Sequence, residues 1–471
     1  MGRGIKYLSL AAIISVALLM RLHGLANPLL DNQAWRQADT AGMATHMLGR
    51  LTVFPAVFIP YLNYDGVTAQ PAELEFPFLP YLTAWTWTIM GRADRVARLW
   101  AVGFSMLTLI GIYYLARRIF NERVGLIGMA IYALLPLAVY YGRVVMPEPV
   151  AQAFTVWALA VMWRWRSKGQ TAVERRWSVP LIPALIMAGA ILAKLPQVMV
   201  FPVAVVMGFW PGRRPELRHV PFYCLVALGI PLLYYVWIHA GTAQLSRFAS
   251  GILSNQVLSN PNSDWHDLSI NARAGLTFIV PVLAMLGTAR LWWTGNPARV
   301  WLSLWGLISL FYIGLVCVRI PLDYYVMPVL PLVCILAAYA LDFLDDVPRT
   351  VSTWLVLCLV WFASYSGLAG KYTWDPRLLV QANWVAAHTS RQSVLVLSDP
   401  QPMTFYYAGR VGFRLRQPDD AGALAELSRL PGQYLVMLPD SPRQAMFRKY
   451  VTQFYPEIGP GVYELGRSAG G

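Results

Sequence analysis

The sequence predicts a polytopic α-helical membrane protein of about eleven spans with a small extracytoplasmic α/β domain at its C-terminal end. Three observations predict it. Of 471 residues, 57% are hydrophobic and 13% charged, with a mean hydropathy of +0.47, whereas a soluble domain is about a quarter charged. Apolar runs recur from the N-terminus to about residue 369, and from about Lys371 the pattern changes to short alternating strands and helices. Nineteen Trp, 24 Tyr and 19 Phe suit the aromatic belts of membrane interfaces. Collagen-like, disordered, disulfide-scaffold and ordinary soluble classes are thereby excluded.

Runs long enough to cross a hydrocarbon core of about 30 Å lie near 6–22, 98–116, 124–141, 150–164, 178–193, 197–210, 220–239, 275–293, 300–317, 326–343 and 351–369. Arg3 and Lys6 precede the first run, as in a signal peptide, but Arg21 and His23 stand where a small-residue cleavage site would lie, so the run is read as a retained span. The apolar stretch Phe76 to Met90 is short and carries Pro77 and Pro80. If it crossed, it would invert everything downstream.

Positive-inside counting decides against a crossing there. With eleven spans and the N-terminus inside, the cytoplasmic segments collect sixteen cations: Arg3, Lys6, Arg117, Arg118, Arg123, Arg164, Arg166, Lys168, Arg175, Arg176, Arg213, Arg214, Arg218, Arg290, Arg299 and Arg349. The short opposite loops hold five, namely Arg143, Lys194, Arg247, Arg273 and Arg319. The 76–90 stretch is therefore expected to lie along the membrane or re-enter it. Outside lie a long loop 23–97, an acid-bearing loop 142–149, a loop 240–274 and the C-terminus. The net charge of +14 is scattered in these clusters, an orientation signal and not a nucleic-acid patch. Cys224, Cys317, Cys334 and Cys358 fall within or beside apolar runs and read as small hydrophobes.

The domain division is thus 1–370 for the transmembrane part and 371–471 for the α/β part. In the latter, Val394 to Asp399, RVGFRL and Gln433 to Asp440 read as strands, with AGALAELSRL and Pro442 to Tyr455 as helices. There is no GxGxxG or P-loop, and no internal repeat of the kind seen in many transporters.

The sharpest polar constellation is Leu30 to Arg50. Asp31 and Asn32 are candidate helix N-caps, and positions 36, 39, 40, 43 and 47 share a face, so Arg36 and Asp39 project together. This is either an amphipathic interfacial helix with an i, i+3 ion pair, or a general base beside a cation that holds a lipid phosphate. A second outer acid, Glu148, lies between Pro147 and Pro149. Helix-start preferences alone would explain it, although two acids on one side also suit a site.

The chain here resembles a family. A first span, a long outer loop opening with an acid-bearing helix, a Pro-containing apolar segment (Glu75 to Ala84), a glycine seven residues before Arg98, two spans and a second outer acid follow in order. This order is similar to that of the GT-C glycosyltransferases that use polyprenyl-phosphate sugars, near bacterial relatives of protein O-mannosyltransferases and of the lipid A aminoarabinose transferase (families 39 and 83). The likeness covers the first 200 residues closely and the rest by architecture.

The resemblance implies transfer of a sugar from a polyprenyl-phosphate donor to an extracytoplasmic glycan, lipid or protein, with inversion, in the bacterial cytoplasmic membrane and on its outer face. It implies that Asp39 is the base, with Asp31 the second choice, and that Glu148 is the second-loop acid. Arg36, Lys194 and Arg319 would bind the donor phosphate, and Glu75, Tyr324 and Tyr325 would line the cavity. Lys194 and Arg319 otherwise read as snorkelling cations, and Arg92, Arg95 and Arg98 as surface or structural residues. Related sequences often carry Lys-Pro-Pro where this chain has Glu75-Phe76-Pro77, so an acid replaces a basic ligand. Either another cation takes that role, or Glu75 faces the acceptor or a metal. No cofactor is expected; two acids could hold a divalent metal, which the closer relatives do not need, and the six histidines show no ligand spacing. The rival functions are a transporter or flippase for a lipid-linked sugar, and a membrane scaffold.

Overall fold

The structure, a computed structural model, describes residues 3–48, 75–167, 180–210, 217, 219–238, 275–318, 322–343, 346–398, 402–415, 427, 432–438 and 445–466. The chain divides into two compact units. One comprises Met1–Leu25, Glu73–Phe78 and Arg98–Lys371, and the other Ala26–Ala72, Leu79–Ala97 and Tyr372–Gly471. The unit that contains the C-terminal sheet therefore takes in more of the chain than 371–471.

The first unit is built of helices. They are α1 (Arg3–Leu22), most of α4 (Asp94–Ile119), α5 (Glu122–Leu134), α6 (Pro136–Tyr141), α7 (Glu148–Ser167), α8 (Leu181–Ala193) and α9 (Phe201–Phe209). Then come α10 (Val220–Ile238), α11 (Ile279–Trp293), α12 (Arg299–Tyr312), α13 (Leu330–Leu341) and α14 (Asp346–Leu368). Among the described residues six stretches are long and apolar enough to cross a membrane alone: Gly4–Leu22, Asp94–Ile119, Val220–Trp237, Arg299–Cys317, Asp323–Leu341 and Thr353–His388. Leu181–Ala193, Leu195–Phe209 and Ile279–Trp293 are shorter apolar helices.

Side-chain contacts fix the direction of these helices. Lys6 of α1 pairs with Glu122 at the start of α5, while Arg21 near the end of α1 donates to the Tyr132 and Ala133 carbonyls near the end of α5. Both helices thus run from one end of the unit to the other in parallel. Arg166 at the end of α7 donates to the carbonyls of Met207 and Trp210, and Lys194 reaches Glu148 at the start of α7, so α9 runs alongside α7. Two ends result. One gathers Lys6, Arg117, Glu122, Arg123, Arg290 and Asp342; the other gathers Glu75, Glu148, Lys194, Asp323 and Lys371.

Prolines set the breaks. Pro136 lacks an amide and pushes Leu135 out of the helical region (ψ 129°), dividing the 124–141 run into α5 and α6. Asn121 caps α5 by accepting from Val124 N–H at 2.9 Å. Lys194 leaves α8 in extended conformation (φ −159°, ψ 114°), and Pro196, two residues on, sits in the first turn of the 3₁₀ helix Leu195–Val200 that leads into α9. The centre of the unit is α13: 83% of Asp323–Leu341 is buried, against 11% of Gly4–Leu22. It packs closely on α11, where a Cβ on Gly287 would meet the Leu336 carbonyl oxygen at 2.0 Å, so only glycine fits. Arg21, fully buried, also holds Ser105 Oγ of α4 at 2.7 Å, and Arg143 donates to the Gly24 carbonyl at 2.9 Å.

The second unit contains α2 (Ala34–Met47), most of α3 (Phe78–Met90) and the α/β domain: α15 (Pro376–His388), β1 (Val394–Leu397), α16 (Met403–Ala408), β2 (Val411–Arg414), β3 (Tyr434–Val436), α17 (Ala445–Phe454), β4 (Glu457–Gly459) and β5 (Val462–Glu464). The sheet order is β2-β1-β3-β5-β4, with β2, β1 and β3 parallel and β5 antiparallel to both of its neighbours. Alternate residues serve opposite faces. Val396, Leu435 and Tyr463 pack with Phe447 and Val451 of α17, and Leu395, Leu397 and Val436 pack with Val385 of α15 and Phe405 of α16. The strands expected at Val394 to Asp399, RVGFRL and Gln433 to Asp440 are present in shorter form, and the last helix lies within Pro442 to Tyr455. Ala421 to Leu430 falls outside the described residues except Leu427. The β4–β5 hairpin was not foreseen, although Gly459-Pro460-Gly461 marks its turn. Tyr406 and Tyr407 of α16 donate to Asp94 at 2.6 and 2.7 Å, and Arg92 donates to the Tyr406 carbonyl at 2.8 Å. Burial first, then the Asp94 charge, pushes both phenol pKa values well above their usual one.

Candidate functional site

In the helical unit, chain breaks place charged groups together. Glu148 opens α7 between two prolines, where the positive helix end favours an acid. Glu75 is tethered by its neighbour, since Phe76 N–H donates to the Leu192 carbonyl at 2.9 Å and the Phe76 ring meets Phe78 and Tyr234. Lys194, at the end of α8, stands between the two acids, with Nζ 2.8 Å from Glu75 Oε1 and 2.9 Å from Glu148 Oε1. The side chains of Lys194, Glu75 and Glu148 are 10%, 17% and 4% exposed. The Tyr324 and Tyr325 rings stack on each other and lie 5.7 and 5.9 Å from Nζ. One ammonium thus meets two carboxylates in the described ion pairs. Glu148 Oε2 is buried and has no hydrogen-bond partner among the described residues, while Oε1 lies at ion-pair distance outside hydrogen-bond geometry.

A second cluster adjoins this one. The 3₁₀ turn Asp323–Val329, which supplies both tyrosines, also supplies Asp323. Asp323 accepts from Tyr141 OH and from Lys371 Nζ, each at 2.5 Å. Lys371 lies over the Tyr140 and Tyr141 rings, and Tyr141 meets Tyr324 edge-on at 5.9 Å. Below them Tyr132 OH donates to Gln152 Oε1 at 2.9 Å, and Gln152 donates to the Met327 carbonyl.

The second unit holds the first-loop acids. Arg36 Nη1 lies 3.1 Å from Asp39 Oδ2, so the expected i, i+3 pair forms, and both side chains are buried. The helix around them differs from the expectation. It starts after Gln33, which has left-handed backbone (φ 63°) and makes no capping bond, and neither Asp31 nor Asn32 is the N-cap. Asp31 Oδ1 instead accepts from Gln37 Nε2 at 2.7 Å. Residues 36–44 are buried on every side, so α2 is no amphipathic surface helix. The cause is local: its small residues, Ala38, Ala41, Gly42 and Ala44, allow neighbours to close in all round.

Of the residues singled out in the sequence, the structure thus brings together Glu75, Glu148, Lys194, Tyr324 and Tyr325 in the helical unit, and Arg36 with Asp39, and Asp31 with Gln37, in the other. Arg319 lies outside the described residues. Asp323, Lys371, Tyr141 and Asp94 were not foreseen. For Asp323 a signal existed, because an acid bordering an apolar run is costly in a bilayer and calls for a partner. Arg98 is fully buried and so is no surface residue, and Arg92 lies 4.3 Å from the Tyr406 ring. Among the described residues no group of three or more side chains has a metal-ligating arrangement. Chemically, the clusters offer a carboxylate held by a guanidinium (Asp39), a buried carboxylate at ion-pair distance from an ammonium (Glu148), and two ammonium groups bound by acids (Lys194 and Lys371).

Residues 70–239 match the family described as dolichyl-phosphate-mannose-protein mannosyltransferase. The fold resembles ArnT from Cupriavidus metallidurans, with a TM-score of 0.65 and 17% identity over 96% of this chain and 97% of that one; ArnT has also been crystallised bound to undecaprenyl phosphate. It likewise resembles the oligosaccharyltransferase AglB from Archaeoglobus fulgidus, solved with an inhibitory peptide and a dolichol-phosphate, with a TM-score of 0.61 and 13% identity over 93% of this chain and 70% of that one. A third likeness is to the mycobacterial arabinofuranosyltransferase AftD, at a TM-score of 0.55 and 16% identity over 93% of this chain and 37% of that one. No curated relative matches the sequence. The expected resemblance to GT-C glycosyltransferases is therefore borne out in the fold.

Proposed function

We propose that the chain is an integral-membrane glycosyltransferase that moves a sugar from a polyprenyl-phosphate donor to an extracytoplasmic glycan, lipid or protein, with inversion. The observation that carries this reading is the end-to-end likeness of fold to ArnT, a protein that binds undecaprenyl phosphate. The family match over 70–239, which includes Glu75, Glu148 and Lys194, supports it. Eleven spans in a bacterial cytoplasmic membrane, with the chemistry and the α/β domain outside, complete the reading.

In the reaction, an acceptor O–H or N–H attacks the anomeric carbon, the bond to the phosphate oxygen breaks, and the phosphate leaves with the electron pair. Asp39 takes the acceptor proton, and Arg36 holds its carboxylate in place. Charge growing on the departing phosphate requires a fixed cation. Lys194 fills this role when the donor phosphate displaces Glu75, the more exposed of its two acids, while Glu148 stays. Arg319 is the second candidate cation, and Asp31 positions Gln37 on α2. One displacement inverts the anomeric centre without a nucleotide.

The test uses the purified protein in nanodiscs, wild type beside Asp39→Asn, with radiolabelled polyprenyl-phosphate sugars and envelope extracts. Label passing to an acceptor with wild type alone supports the enzyme and its base. Equal transfer by both proteins moves the base to Asp31 or Glu148. Donor that crosses the bilayer with no transfer would replace this reading by a flippase.

A further inference from the structure

At the arginine-rich end of the helical unit, α1, α5 and α14 run in parallel and leave a groove of about 500 Å³ between them. Leu126, Ile127 and Ala130 of α5 form its buried floor, Ala12 and Ile13 of α1 one wall, and Trp354 of α14 the other. We propose that this groove binds one anionic phospholipid, with an acyl chain lying along α5 and the headgroup phosphate at Arg123.

Two observations choose this occupant. The first is length. The lining of α5 runs from Arg123 to Leu134, which at 1.5 Å per residue is about 16 Å, close to half of a hydrocarbon core of about 30 Å. The groove is therefore as deep as one leaflet. The second is charge. Its polar end is closed by Arg123, one-third exposed and 3.8 Å from Asp342. Around that end the described ion pairs gather four cations, Lys6, Arg117, Arg123 and Arg290, about Glu122 and Asp342. Cations so gathered suit a phosphodiester. Of the other polar residues lining the groove, Ser9 turns its hydroxyl back to the Ile5 carbonyl at 2.9 Å. By the positive-inside rule this is the cytoplasmic leaflet.

The full-length protein, in nanodiscs of equal phosphatidylglycerol and phosphatidylcholine, would be released into mild detergent and its retained lipids weighed by native mass spectrometry. One phosphatidylglycerol is expected, favoured about tenfold over phosphatidylcholine, the increment of one charge-assisted hydrogen bond. Ala12→Phe, a change at an exposed position that fills the groove, is expected to abolish retention. Arg123→Gln is expected to keep a lipid bound but remove the preference. Three results would overturn the proposal: no retained phospholipid, undiminished retention in folded Ala12→Phe, or selective retention of polyprenyl phosphate when it is added. None of these readouts depends on sugar transfer.

Discussion

At one end of the helical unit, Arg117 and Glu122 form an ion pair 2.6 Å long with 42% and 28% of their side chains exposed; at the other, Lys194 and Glu148 pair at 2.9 Å with 10% and 4% exposed. The chemistry of the partners is the same and the solvation is not. Exposed pairs gain about 0–1 kcal/mol and mainly orient the chain. Buried pairs carry a large desolvation cost that each partner offsets for the other. Stability alone gives no reason for two lysines and three acids to gather with Tyr141, Tyr324 and Tyr325, which is what motivates the proposal that the donor phosphate binds at that end.

The sharpest way to break the comparison is Lys194→Met. It removes the ammonium that stands between Glu75 and Glu148, so a loss of about 3–5 kcal/mol is expected, the scale for breaking a buried ion pair, read as the unfolding midpoint in detergent. Sugar transfer should fall about 10²–10³-fold in whatever protein stays folded, as for loss of one group that stabilises transition-state charge. Glu75→Gln tests the displacement: it removes the competitor for Lys194, so stability should change by less than in Lys194→Met and the donor KM should fall. Unchanged stability in Lys194→Met would place both acids in water and end the contrast between the two ends.

Next in size is Asp323→Asn. The amide still accepts from Tyr141, but Lys371 keeps its charge without a counterion, so about 1.5–3 kcal/mol is expected, the worth of a hydrogen bond to a charged group. Lys371→Met, which removes the stranded charge, should recover part of that loss in the double variant.

How much of this was legible follows from distance along the chain. The apolar runs foretold where helices lie, because each run is its own signal, and the i, i+3 spacing foretold the Arg36–Asp39 pair. Asp323 was passed over because its partners Tyr141 and Lys371 stand 182 and 48 residues away. The cap of α2 was misplaced for another reason. Asp31 and Asn32 are good capping types, but left-handed Gln33 starts the helix two residues after Asp31, and Asp31 is taken up by Gln37. The inclusion of Asp94 with Tyr406 and Tyr407 in one unit is likewise a fact of tertiary structure, with some 312 residues between donor and acceptor.

The smallest expected effect belongs to the exposed end, where Arg117→Ala should cost about 1 kcal/mol or less. A pH series makes that end distinctive. At Glu122, burial works to raise the carboxyl pKa, but hydrogen bonds from Tyr113 and Lys6 and the Arg117 charge outweigh it and hold the pKa below the usual value of 4.5. A carboxyl lowered on folding adds stability above its unfolded pKa and loses it as pH falls through the folded one. Wild type should therefore exceed Glu122→Gln in unfolding midpoint at pH 6, and the gap should close as the pH falls from about 5 through the lowered folded pKa. The gap should also shrink in salt, since these charges lie in reach of solvent ions. A gap that persists at low pH would mean that Glu122 acts through packing and not charge. The two ends would then differ in what they bury, not only in how they pair it.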